Sequence, residues 1–345
     1  GHFTTGFVLA VTEQLEDAQR EFDQALTLSR AADDKVHEAF SLGFSALLRN
    51  WEGHYDDAKR VAIEGLKTAR ESGVVIPVYW LLFIHTVVLV GKGDYDEALA
   101  IGEEGLAFCE KIGDEVMYHR ILNTLGWLWS ELGDLERAIE YSRRCAEGAR
   151  KRGDPETAGN AETNLGDIFI VKGDLALAGE VLDGVYRMVK DPATSDWMKW
   201  RYSTHLFASL GDLWLARGDY AKAREFCDHS LDIATRTQSK KNLVKGWRLK
   251  GEIALARRQW DEAESALRQA LTIAEQIGNP AQLWKAHLAL GHLHTDTKKP
   301  ELAQQAFQAA REVIDRIKGS LRNPGLRASL ERAPMIQRIY ELSGQ

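Results

Sequence analysis

Cysteine is scarce in this 345-residue chain: three, at Cys109, Cys145 and Cys227. Three cannot build a disulfide scaffold, and they fit a reducing compartment. Proline is scarce as well, seven in all, which leaves room for long helices. Basic residues are not in excess: 44 Lys and Arg stand against 51 Asp and Glu, a net charge of -7. That balance argues against a nucleic-acid binder, which would carry a basic footprint. No apolar run is long enough to span a bilayer. The most hydrophobic stretch, residues 75–90, is broken by Pro77, His85 and Thr86. As a helix it would reach roughly 24 Å against a hydrocarbon core of roughly 30 Å. A cytoplasmic chain without nucleic-acid or membrane partners is expected.

Catalytic signatures are missing too. No Gly-x-x-x-x-Gly-Lys-Ser/Thr loop occurs, and Gly91-Lys92-Gly93-Asp94 reads as a turn rather than a phosphate cradle. Of His287, His292 and His294, only the first and last share a helix face, so a metal cluster is not expected. The cysteines fall inside helical segments, where a free thiol is usually a small buried hydrophobe. No catalytic residue, cofactor or metal is implied.

What is present is a repeat. Leu15, Tyr55, Tyr95, Leu135, Leu175, Tyr220, Trp260 and Pro300 follow one another in steps of 40, with one step of 45. Three residues after each stands an alanine, from Ala18 to Ala303. Nine residues before each stands a small residue: Gly6, Ala46, Thr86, Gly126, Gly166, Gly211, Gly251 and Gly291. Small residues at that spacing let two helices approach closely. Gly-Asp pairs between the apolar runs supply a left-handed helix end and the next N-cap, and Asp94 with Glu97 has the form of a capping box. Each unit is therefore a helix pair that must stack on its neighbours to bury its apolar face. The 45-residue step inserts five residues near 191–196, followed by Trp197 and Trp200. It is either a tolerated surface insertion covered by tryptophans, or a joint that changes the stacking angle.

This pattern resembles the tetratricopeptide repeat, in a long 40-residue variant similar to that of kinesin light chains, polarity adaptors and the sensor regions of bacterial signalling ATPases and cyclases. The resemblance implies an all-α, right-handed solenoid of eight repeats over residues 1–318 and a capping helix over 319–345, interrupted at Pro334. The first repeat lacks half of its first helix, so a piece of a longer polypeptide, with further domains N-terminal, is expected.

In that family the first helix of each pair lines the concave face, and the resemblance places partner contacts along one stripe of it. The stripe is apolar in repeats 2 to 4: Phe40, Leu47 and the adjoining Trp51, then Trp80, Phe83, Val87 and Val90, then Trp127 beside Asn123. Asn123 matches the position at which kinesin-light-chain-type repeats hold a peptide backbone. Repeats 5 to 8 are polar and supply Asn160, Asp167, Lys245 and Arg248. Lys245 and Arg248 are placed either to receive a carboxylate or to be neutralised by Asp212 and Glu252. The apolar patch is either a partner surface or is covered by the protein's own parts. The expected function is a noncatalytic interaction module, a scaffold holding a protein segment in its groove. The alternative is a sensing domain of a larger bacterial regulator, of STAND ATPase or cyclase type, with a small-molecule inducer.

Overall fold

The computed structural model describes residues 1–344. Eight helix pairs follow in chain order, the first helix of each pair (A) facing inward. They are α1 His2–Val11 with α2 Leu15–Ala31, α3 Lys35–Trp51 with α4 Tyr55–Glu71, α5 Val75–Lys92 with α6 Tyr95–Ile112, and α7 Glu115–Glu131 with α8 Leu135–Lys151. Then come α9 Pro155–Lys172 with α10 Leu175–Lys190, α11 Ser203–Ala216 with α12 Tyr220–Arg236, α13 Lys240–Ala256 with α14 Trp260–Ile277, and α15 Pro280–Asp296 with α16 Pro300–Ser320. Two short helices close the chain, α17 Pro324–Arg332 and α18 Pro334–Leu342. The fold is an all-α solenoid.

The repeat's small residues do what their spacing predicts. Each lies opposite the second helix (B) of its own pair, sixteen residues on. A Cβ at Gly166 would lie 2.4 Å from Leu182, and one at Gly291 would lie 2.2 Å from the Phe307 ring. Where the small residue is Thr86, the residue at that register is Gly102, so the bulk is given up on the other helix. The repeat alanines are buried throughout.

Helix ends follow local chemistry. Asp114, Asp134, Asp154, Asp174 and Asp219 each accept a hydrogen bond from the amide three residues on. Asp94 departs from the capping expectation: it caps nothing, and with Glu97 it holds the Lys59 ammonium instead. The apolar run of 75–90 is a core helix, since α5 packs between α3 and α4 on one side and α6 and α7 on the other.

The capping region is broken at Pro334 into two helices. Proline has no N–H to continue a helix, and the chain turns through extended backbone at Ala333 to start α18. Asn323 caps α17, accepting from the amides of Gly325 and Leu326.

The stack curls until one turn touches the next. Trp51 Nε1 donates to the Thr237 carbonyl at 3.0 Å, Trp200 Nε1 to Val11 at 2.8 Å, and Asn279 Nδ2 to Gly91 at 2.6 Å. Those partners are separated by 186, 189 and 188 residues, a constant offset that marks one superhelical turn. The tip between α5 and α6 requires glycine for two reasons. Gly93 has φ of 90°, and a Cβ there would meet Pro280 at 2.5 Å. The segment that follows the inserted residues lies on this seam. A π-helical turn, Met198–Tyr202, sets Trp200 edge-on to Trp51 at 5.5 Å. The C-terminal helices continue the seam: Asp96 accepts from the amides of Arg322 and Asn323, and Ser329 donates to Asp134.

Candidate functional site

The curl encloses a channel of about 1280 Å³ walled mainly by the A helices, with α17 and α18 at one end. This exceeds the roughly 300–1,000 Å³ of a small-molecule site. Trp51, Phe83, Val87, Asn123, Trp127, Asn160, Asp167, Lys245 and Arg248, all on the expected stripe, contribute to the wall. Four expected residues do not. Val90 and Leu47 are buried in the packing between helices, because the tight curl turns the stripe's edge inward. Trp80 lies against Phe44 at 5.3 Å, and Phe40 against Phe3 at 5.8 Å, so the N-terminal repeats cover both rings. The apolar patch is thus divided: part is masked by the protein itself and part faces the channel.

The polar wall is internally paired. Lys245 Nζ lies 3.1 Å from Asp167 and 3.9 Å from Asp212, while His205 Nε2 lies 2.8 Å from Asp167. Burial pushes the Asp167 carboxyl up, but Lys245 and His205 outweigh it and hold it well below the ordinary range. Burial raises the Asp212 carboxyl to about 6, against the opposing charges of Lys245 and Arg248. Arg248 grips Glu252 of its own helix with both carboxylate oxygens, at 2.7 and 2.8 Å. Lys245 and Arg248 are therefore neutralised within the wall. Glu131 takes Lys285 at 3.1 Å and the Trp127 indole N–H at 3.0 Å.

Amides line the middle of the channel. Asn164 Nδ2 donates to Asn123 Oδ1 at 2.8 Å, so that oxygen is already occupied. Asn160 is partly exposed to the channel, and the buried Oδ1 of Asn50 has no partner among the described residues. The cysteines are fully buried, and burial raises each thiol to about 12, far from a reactive thiolate. His292 faces the channel, but His294 is buried away from it.

Sequence reasoning passed over three wall residues that matter. Lys241 stands one helical turn before Lys245, so the same stripe extended by four residues reaches it. Asn164 stands one turn after Asn160 in the same way. Arg201 stands one turn before His205, 40 residues ahead of Lys241 and in the same register, so the same extension of the stripe reaches it.

Two segments match family models described as tetratricopeptide repeat, residues 119–150 and 203–276. The chain carries tetratricopeptide repeats. No curated protein matches it by sequence. Among solved structures it is similar to a Rap protein complexed with competence and sporulation factor, at 11% identity and a TM-score of 0.63, covering 99% of this chain and 98% of that one. NprR in complex with its cognate peptide NprX is similar at 13% identity and a TM-score of 0.62, covering 99% and 96%. A STAND signal-transduction ATPase with a tetratricopeptide repeat sensor, from Pyrococcus horikoshii, gives 16% identity and a TM-score of 0.50, covering 95% of this chain and 50% of that one. At these identities the likeness concerns the fold.

Proposed function

We propose that this chain is a noncatalytic receptor for a short, extended peptide held inside the superhelix. The observation that carries this is the channel of about 1280 Å³, with an aromatic wall on one side and amides and charges on the other. Side chains such as Phe83, Val87 and Trp127 offer apolar burial at about 25 cal/mol per Å². Asn160 offers hydrogen bonds to a backbone that has no other partner inside a channel. Contacts across the turn, at Trp51 and Asn279 among others, remove the side entrance that a folded partner or a long helix would need. The cognate peptide named for NprR, on the same fold at nearly full coverage, favours the same class of ligand.

The receptor could stand alone or report to an output domain elsewhere in a longer polypeptide. The second arrangement is favoured by the likeness to the STAND ATPase with its tetratricopeptide repeat sensor, of whose chain this chain covers half. Both arrangements use the same channel.

The test is affinity selection with a pooled library of synthetic five- to eight-residue peptides, read by mass spectrometry. The comparison is with a Val87→Trp variant, which fills the channel without removing a charge. Retention of a defined peptide set by the parent, lost in the folded variant, is expected. Equal retention by both, or none by the parent, would contradict the reading.

A further inference from the structure

The channel wall has more cation than it uses. Each of its carboxylates meets a cation or a hydrogen-bond donor of the protein: Glu131 has Lys285, Glu136 has Lys172, Asp134 accepts from Ser329, and the Asp167, Asp212 and Glu252 partners are described above. Among the described residues no carboxylate lies within ion-pair distance of Lys241, Arg201 or Arg120, all three of which line the channel. Lys241 Nζ sits 3.9 Å above the Trp127 ring, and the Arg201 guanidinium lies 5.6 Å from the Trp51 ring and 5.1 Å from Trp197. Aromatic faces stabilise a cation on one side only and leave its N–H donors without acceptors.

A second feature converges there. The first turn of α13 contributes Ser239, Lys241 and Asn242 to the wall. No side chain caps that turn, because Ser239 Oγ is taken by Asn242 Nδ2 at 2.9 Å. Its free amides and the positive end of the helix dipole add to the field of the two cations.

We infer that the channel holds an anionic group of its ligand, a carboxylate, against the N-terminal turn of α13, with Lys241 and Arg201 as its counter-charges. This rests on the peptide-receptor reading and narrows it: the peptide is one that brings a carboxylate into the channel. Both its free C-terminus and an Asp or Glu side chain supply that chemistry. The location also explains why the polar wall is so fully paired. Lys245 and Arg248 are already paired with carboxylates of the wall, so the cations without such a partner set the position. The ammonium of Lys241 is held down to about 8, first by burial and then by the neighbouring charges of Lys245, Lys285 and Arg201 against Glu131. An arriving carboxylate reverses that penalty.

The experiment uses four pools of synthetic pentapeptides: free acid or C-terminally amidated, each with or without Asp and Glu. Retention is measured on the full chain, on Lys241→Met/Arg201→Gln, and on the charge-preserving Lys241→Arg. The full chain should retain carboxylate-bearing pools at least tenfold over the amidated, neutral pool. The double variant should lose that preference, and Lys241→Arg should keep it. A preference confined to free acids assigns the C-terminus, and one that survives amidation assigns a side chain. Retention of the amidated, neutral pool at parent level overturns the carboxylate anchor and leaves the peptide receptor standing. A preference that persists in Lys241→Met/Arg201→Gln also overturns the anchor. Failure to retain any pool overturns both.

Discussion

Contacts along the stack and contacts across the turn are built differently. Along the stack, each pair repeats one register, with a small residue on helix A and a buried alanine on helix B, and in several pairs a large side chain fills the space beside the small residue, as Phe307 does beside Gly291. Across the turn nothing repeats. One seam contact is an indole N–H on a carbonyl, another an asparagine amide, another a glycine tip against a proline. The first kind of contact makes a solenoid; the second turns that solenoid into a channel. Stability should follow the stack and ligand capture should follow the seam.

The largest effect is expected from breaking the stack. Gly291→Leu would drive a side chain into the Phe307 ring, whose nearest atom is 2.2 Å from where the first carbon would stand. Overpacking of this kind costs about 3 kcal/mol, seen as a shifted denaturation midpoint with helicity lost in the same transition. A seam contact should cost less. Asn279→Asp keeps the oxygen that caps α15 at Gln282 but removes the donor to Gly91. About 1–2 kcal/mol is expected, with hydrogen exchange quickening at Gly91 to Gly93 and not in distant pairs. Trp200→Phe retains most of the buried ring and loses one hydrogen bond, about 1 kcal/mol; a cost as large as that of Gly291→Leu would erase the distinction.

The smallest effects come from pH. Asp212, raised to about 6, keeps its proton to higher pH when folded than the roughly 3.9 of an unfolded carboxyl. Stability from this group therefore declines as pH rises from about 4 to 6. Lys241, lowered to about 8, loses its proton earlier when folded than the roughly 10.4 of an unfolded lysine. Its contribution therefore rises with pH between about 8 and 10. Urea midpoints of the parent against Asp212→Asn and Lys241→Met separate the two; opposite slopes in those windows would contradict the assigned causes.

The same comparison explains what was legible in the sequence. Anything tied to the 40-residue period could be read: the helix pairs, the small–alanine register, and the stripe that includes Phe83, Val87, Trp127 and Asp167. The seam could not, because its partners lie about 188 residues apart and share no pattern. The inserted residues show this most clearly. They looked like a surface loop or a joint, and the segment that follows them puts Trp200 where one turn meets the next. Val90 and Trp80 failed as groove residues for a related reason. Periodicity tells which side of a helix a residue occupies, while the tightness of the curl decides whether that side stays open.

The most direct test is to open the seam without touching the stack. Trp200→Phe/Asn279→Asp removes two ties across the turn and leaves every small–alanine pair intact. The variant should keep the parent's helical circular dichroism and scatter X-rays as a more extended particle. It should also retain the parent's peptides at least tenfold less. A variant that opens in this way and still captures the same peptides would contradict the claim that the closed turn makes the binding site.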